Sequence, residues 1–300
     1  VPKSEKASKV SLPQEVRYRT ILAFLVEKFP HVSEKEWIQR MEDKQVYKPD
    51  GTLISSSTPY QAGPIYYHRQ VTEEPKIPFK ELIIEQNDDF LIAYKPHYLP
   101  IMPGGAFVNE CLQQRLINIT GNMELQAIHR LDRDTAGLVL FSTNATTRHH
   151  YHQLFSQRKV DKQYQAIATI SDDSTPVTGE KWHVKNYIKR STPDFLFQNI
   201  EATDSTSGGW SAESIIECTG IKSNHAFFNL SPITGRTHQL RLHMLHIGHP
   251  ILNDRFYPEL QPKSSDDFNN PLKLLAYSLS FTDPISQQRV SYQSPVSLEI

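Results

Sequence analysis

Three hundred residues, 38% apolar and 10% aromatic, can bury a sizeable core with room for a second small module, and exclude a chain disordered throughout. Lys and Arg number 32 against 33 Asp and Glu, so the net charge of −1 does not by itself mark a nucleic-acid binder. No apolar run reaches the ~20 residues of a membrane-spanning helix, the Lys-rich N-terminus lacks a signal-peptide core, and Cys111 and Cys218 stand without neighbouring thiols, so the expectation is a cytoplasmic protein with two reduced cysteines.

Residues 1–13 read as a polar, frayed arm. From Arg17 to Phe29 apolar side chains recur at helical spacing (Ile21, Leu22, Leu25, Val26, Phe29) until Pro30 stops the run. Ser33 with Glu36 three residues on is a capping box that opens a second helix through Met41. Pro49-Asp50-Gly51 turns the chain, and strand-like pieces follow at Thr52–Ser55 and Ile65–His68. Val71–Lys80, with Pro75 and Pro78, reads as a linker, which divides the chain into a module over 1–76 and a larger domain over 77–300.

Beyond the linker, strands and helices alternate. Phe90–Tyr94 predicts a strand, Cys111–Ile117 a helix, Gly137–Phe141 a buried strand, and Asn144 a cap for a helix through about Phe155. Lys162–Ile170 and His225–Leu230 alternate as strands. A helix over Thr237–Ile247 ends at Gly248 with Pro250 beyond it, and Leu274–Phe281 is a last strand. Ser171–Thr178, Asp204–Gly209 and Pro258–Pro271 read as polar loops.

Charge is uneven along this chain. Residues 129–162 carry Arg130, Arg133, Arg148, Arg158, Lys159 and Lys162 against Asp132, Asp134 and Asp161, and residues 1–48 are also net basic, a distribution compatible with RNA contacts on a neutral protein. Within the first stretch, His129-Arg130-Leu131-Asp132-Arg133-Asp134-Thr135-Ala136-Gly137 sets one Asp between two arginines before a buried strand. Alone, the plainer reading of this stretch is a loop salt bridge. A second cluster, Gly235-Arg236-Thr237-His238-Gln239-Leu240-Arg241-Leu242-His243-Met244, places Arg236, His238 and Arg241 at a turn and the start of a helix, where free backbone N–H groups attract anions. A third, Lys162-Gln163-Tyr164-Gln165-Ala166, puts Lys162 and Tyr164 on one face of a strand, where a core tyrosine is the plainer reading.

Together with Lys95-Pro96 and Gly248-His-Pro-Ile-Leu-Asn-Asp254-Arg-Phe-Tyr257, these motifs in this order resemble the RluA family of RNA pseudouridine synthases, over about Leu82 to Pro295. Two positions depart from the family pattern: Ala136 where Ser is usual, and Asn253 where Gly is common. The resemblance implies an α+β fold with a central mixed, largely antiparallel sheet, flanking helices and a cleft across its middle, preceded by a small N-terminal α/β module. Residues 1–70 resemble an S4-type RNA-binding module more faintly, and the alternative is a packing decoration.

The resemblance also implies a reaction: uridine in RNA becomes pseudouridine, which involves no redox step or energy source, so no cofactor and no metal are expected. Asp132 is the implied catalytic carboxylate, attacking the base or the sugar or removing a sugar proton. Arg241 is its implied partner, Tyr164 packs on the uracil and helps take the C5 proton, and Arg130 fills the gap left by the flipped base. Arg133, Lys162, Arg236 and His238 complete the expected RNA contacts. Hairpin loops are the least costly places to flip a base, and the pattern over Pro232–Tyr257 is closest to the subgroup acting on a tRNA anticodon stem-loop and a 23S rRNA hairpin.

Two other classes compete. A metal hydrolase is weighed on His149, His150 and His152 and on His243, His246 and His249, but the second set has i, i+3, i+6 spacing with no acidic residue between its members. A non-catalytic RNA-binding protein keeping the synthase fold is the nearer alternative.

Overall fold

A computed structural model describes residues 7–14, 17–69, 71, 73–170, 174–200, 208–262 and 264–299. The chain forms two compact units. One comprises Val1–Lys76 with the loop Pro103–Glu110, the other Ile77–Met102 with Cys111–Ile300.

The smaller unit contains β1 (Ser8–Leu12), α1 (Ile21–Lys28), α2 (Glu34–Glu42), β2 (Val46–Tyr47) and β3 (Gly63–Tyr67), with sheet order β1-β3-β2 and both pairings antiparallel. Thr20 caps α1 through its hydroxyl, and Ser33 and Glu36 form the reciprocal capping box of α2, as their spacing predicts. Ile21, Leu25, Trp37 and Met41 bury one stripe of the two helices against Val46, Ile54 and Ile65. The reading of 1–13 as an arm is corrected: Ser8–Leu12 is a strand paired with β3, while residues 1–6 lie outside the described residues. Its partner is some fifty positions away, so no local signal reveals it. Thr52–Ser55 is not a strand; only Leu53 bridges back, to Tyr47.

In the larger unit come β4 (Leu82–Gln86), β5 (Phe90–Lys95), α3 (Leu112–Thr120), β6 (Gln126–Ala127), β7 (Ala136–Ser142), α4 (Arg148–Ser156) and β8 (Val160–Thr169). Then follow β9 (Lys181–Arg190), β10 (Phe197–Ile200), β11 (Trp210–Lys222), β12 (His225–Pro232), α5 (Gln239–His246), β13 (Leu274–Thr282) and β14 (Arg289–Gln293). The sheet runs β10-β9-β11-β12-β8-β13-β7-β5-β4, with β14 beside β13 and β6 beside β7. Its pairings are antiparallel except β13 with β7, so the sheet is mixed and mostly antiparallel.

That parallel contact fixes the loop before β7. Gly137, at φ 126, lies against Ala276 so closely that any Cβ would collide with the Ala276 backbone, which is why the motif requires glycine there. Ala136, its neighbour, is fully buried beside Tyr94 and Leu275. Phe90, Leu138, Leu140, Tyr151, Leu154 and Phe281 pack α4 against the sheet, while Leu240 and Met244 of α5 pack on Ala166, Ile216, Phe228 and Leu230. The start of α4 is corrected: Asn144 accepts from the Thr146 N–H and hydroxyl in a turn, and the helix begins four residues later. The loops at 171–178 and 204–209 lie partly outside the described residues. Pro258–Pro271 has no regular element over its described residues but is pinned, since the Tyr98 hydroxyl donates to Asp267 O at 2.6 Å.

Candidate active site

The loop 128–135 is held from beneath by one wholly buried group and two half-buried ones. Lys95, at the end of β5 and wholly buried, donates to the carbonyls of Pro96, Leu99 and Arg133 at 2.9, 2.8 and 2.9 Å. His97 Nδ1 meets Asp134 O at 2.7 Å, and because a carbonyl can only accept, the ring donates. Burial pushes His97 down to about 4 and His129 down to about 3, so both are neutral at pH 7. His129 stacks on Phe155 with centroids 4.5 Å apart and accepts from the Leu140 N–H at 3.0 Å. The loop is therefore tied at Arg133, Asp134 and His129, and Asp132 rides on it.

Asp132 faces a cleft of about 730 Å³, within the usual size for a ligand site. Tyr164, Arg241, Arg130, Lys162, Arg236 and His238 line the same cleft, so residues from three separate motifs converge. Arg133 does not. Its guanidinium bonds both oxygens of Asp266 at 2.9 and 2.7 Å and lies 5.7 Å from the centre of the Tyr98 ring, a tie for the 258–271 loop.

Arg241 is 2% exposed. It lies 3.9 Å from Asp132, ion-pair distance but beyond a hydrogen bond, and gives Nε and Nη2 to Asp254, the former at 2.7 Å. Burial opposes the Arg241 charge, yet the bonds and charge of Asp254, with the charge of Asp132, hold its pKa above the ordinary arginine value. Asp254 accepts in addition from the Phe256 and Tyr257 N–H groups, and the guanidinium sits over both of those rings. Asn253 is left-handed at φ 63, a conformation Asn tolerates better than most residues, and its side chain donates to Pro271 O at 3.1 Å. It serves where the family more often has glycine.

The Tyr164 phenol is raised above its ordinary value, first by burial and then by the charge of Asp132, so it is a protonated hydroxyl at neutral pH. Burial pulls the Lys162 ammonium down, and Arg236 is exposed, its Nε donating to Ser211 O at 2.9 Å. Gln239 locks the turn that carries Arg236 and His238: it accepts from the Thr234 hydroxyl at 2.7 Å and the Arg236 N–H at 3.0 Å, and donates to Glu213 O and Ser214 Oγ.

Three participants escaped the sequence reading as site residues. Arg158, exposed on the cleft rim at φ 57, lay in the basic stretch without distinguishing spacing. Asp254 and Tyr257 stand in a motif that carried the family resemblance, but nothing local links them to Arg241 and His238. The second histidine cluster does not converge: His243 meets Asn186 Oδ1 at 3.1 Å in the core, and His249 packs on Trp182 and Phe228. Among the described residues no group of three His, Cys, Asp or Glu side chains could hold a metal.

The solved structures agree on the fold. Human RNA Pseudouridylate Synthase Domain Containing 1 superposes with a TM-score of 0.59 at 22% identity, over 75% of this chain and 86% of its own. Human RNA Pseudouridylate Synthase Domain Containing 4 gives 0.55 at 21%, over 72% and 88%. Sequence relatives include an uncharacterized RNA pseudouridine synthase of Synechocystis, 25% identical over 93% of this chain and 95% of its own length. The dual-specificity RNA pseudouridine synthase RluA of Pasteurella multocida is 31% identical over 71% of this chain and 92% of its own. Residues 89–246 match the RNA pseudouridylate synthase family model. The chain belongs to the RNA pseudouridine synthases of the RluA family. It is an isomerase that converts uridine in RNA to pseudouridine.

Proposed function

We propose that Asp132 is the catalytic carboxylate and that the target is a flipped uridine in a hairpin loop of tRNA, 23S rRNA or both. The observation that carries this is the convergence of Asp132, Tyr164 and the buried Arg241 in one cleft with Arg130, Arg158, Lys162 and Arg236 around it. Isomerisation breaks the N1–C1′ bond with its electron pair going to the base, forms C5–C1′, removes the C5 proton and returns a proton to N1. Nothing is oxidised or reduced. Among the described residues, Asp132 is the carboxylate beside Arg241 that faces the cleft, since Asp254 is 1% exposed and spent on hydrogen bonds.

The protonated Tyr164 hydroxyl takes the C5 proton only if its own proton leaves in the same step, and this reading assigns Asp132, whose charge raises the phenol, as the acceptor. Arg130, exposed next to the nucleophile in the same loop, fills the stack after flipping. The relatives named for dual specificity and for the ribosomal large subunit favour the RNA class assigned. The proposed site of action is the cytoplasm, where tRNA and ribosomes work. The test is single-turnover tritium release from C5-labelled uridine RNA, with loss of release in Asp132→Asn at unchanged RNA affinity. A wild-type protein that binds such hairpins without release would be an RNA-binding protein instead.

A further inference from the structure

His238 lines the cleft, the family reaction leaves its chemistry unassigned, and its proton can be placed from its neighbours. It sits at the N-terminus of α5 in the left-handed conformation, φ 56, uncommon for non-glycine residues although histidine adopts it more readily than most. The ring is 8% exposed, edge-on to Phe197 and inclined to Phe256, with centroids 5.5 Å away in each case. Its Nδ1 is 2.9 Å from the Tyr257 hydroxyl, and that hydroxyl is 3.0 Å from the backbone nitrogen of Phe197.

The direction of this chain follows from what each group can do. The Phe197 N–H can only donate, so the Tyr257 oxygen accepts it. Burial pushes the Tyr257 phenol up to about 12, so it keeps its own proton. In a pocket where tyrosine is 6% exposed, an O–H aimed at no acceptor is costly, and the acceptor at hydrogen-bond distance is His238 Nδ1. Burial also lowers the pKa of His238, against the opposing charge of Asp132, so the imidazole is neutral and carries a single proton. With Nδ1 accepting, that proton is on Nε2. Among the described residues no protein group bonds Nε2, and the residue lines the cleft with Asp132.

We infer that Tyr257 holds His238 in the Nε2–H tautomer so that it donates to a carbonyl oxygen of the flipped uracil. The assignment rests on reading this cleft as the uridine site. Whether Asp132 attacks the base or the sugar, electron density moves onto the uracil carbonyls as the N1–C1′ bond is broken, and a donor fixed in advance stabilises that charge without reorganising. A neutral donor does so without forming an ion pair with Asp132 that would compete for the carboxylate. The same tautomer bars His238 from acting as the base for the C5 proton, because Nδ1 is occupied and Nε2 has no lone pair to offer. Tyr257 is a positioning residue, acting through His238.

Two-bond 1H–15N correlation spectra of the full-length protein identify the protonated nitrogen of His238 without any turnover. The expected spectrum at pH 7 is a neutral Nε2–H ring, and Tyr257→Phe is expected to give a mixture of tautomers. A neutral Nδ1–H ring or an imidazolium overturns the assignment, as does an unchanged tautomer in Tyr257→Phe. In single-turnover assays on a uridine hairpin, His238→Phe is expected to slow conversion by about 100-fold, the usual loss for a preorganised donor, with Kd for RNA within twofold. His238→Gln, whose amide nitrogen reaches the place of Nε2, recovers part of that rate. Equal rates in His238→Phe and wild type, or equal losses in the Phe and Gln variants, reduce His238 to packing. Wild-type protein inactive on every uridine RNA would instead defeat the reading of the cleft, and the spectra would still decide the tautomer.

Discussion

Arg241 and Asp254 form a two-pronged ion pair in which both side chains are all but closed to solvent, at 2% and 1% exposure. The third face of the guanidinium is turned to Asp132 at 3.9 Å, so the cation that serves the cleft is anchored by a carboxylate outside it. The arrangement lets Arg241 influence Asp132 without tying it up in a hydrogen bond.

Removing either member of that pair leaves a buried charge alone. Arg241→Met and Asp254→Asn are each expected to destabilise the protein by about 3–5 kcal/mol, the range for breaking a buried pair. Arg241→Lys recovers only part, because an ammonium cannot make the two-pronged contact. Urea unfolding checks the order. An Asp254→Asn protein with wild-type stability and rate would show that Arg241 needs no anchor.

For Asp132 the substitution that keeps shape and removes charge is Asn. Turnover is expected to vanish while RNA affinity and the unfolding midpoint stay within error, since Asp132 makes no hydrogen bond at the cleft that holds the fold. Conversion remaining at about a hundredth of wild type or more would reassign the carboxylate.

Tyr164→Phe retains the ring on β8 and deletes the hydroxyl. Binding is expected to persist and product formation to slow sharply at the last proton transfer, with an intermediate detectable by quenching at short times. A wild-type time course would leave Tyr164 as a core side chain.

Acid should weaken this fold before its carboxylates titrate. Burial holds His97 at about 4, His129 at about 3 and His243 at about 4, all below the ordinary 6.5. Once the pH falls below 6.5 the unfolded chain binds protons that the folded chain refuses, so stability drops between pH 6.5 and 4, by at most about 1.4 kcal/mol per pH unit for each such histidine. Unfolding free energies at pH 7 and pH 5 measure it. His243→Gln, remote from the cleft, should flatten the slope, and an identical slope would show that His243 is not held neutral.

The N-terminal unit is proposed as an S4-type RNA grip, on the net basic character of residues 1–48. A chain starting at Ile77 is expected to isomerise a minimal hairpin, with weaker binding to full-length RNA and a shallower dependence of affinity on salt. Because the loop Pro103–Glu110 packs with that unit, shortening this loop at the same time should improve solubility. Unchanged affinity and slope would assign the unit to packing.

What the sequence by itself determined is local. Ser33 with Glu36 capped α2 as read, and the motifs around Asp132, Tyr164 and Arg241 declared the reaction before any geometry was known. These features depend on neighbours within a few positions or on motif order, and both are written along the chain. Tertiary structure decided which charges are free. Arg130 and Arg133 flank the same Asp, yet one is exposed on the cleft and the other is held by Asp266, more than a hundred residues away. In the same way Asp254 claimed Arg241, Tyr257 oriented His238, and Ser8–Leu12 found its partner in β3. Ion pairs and strand ladders are contacts between segments whose separation along the chain carries no periodic signal, so only folding assigns the partner.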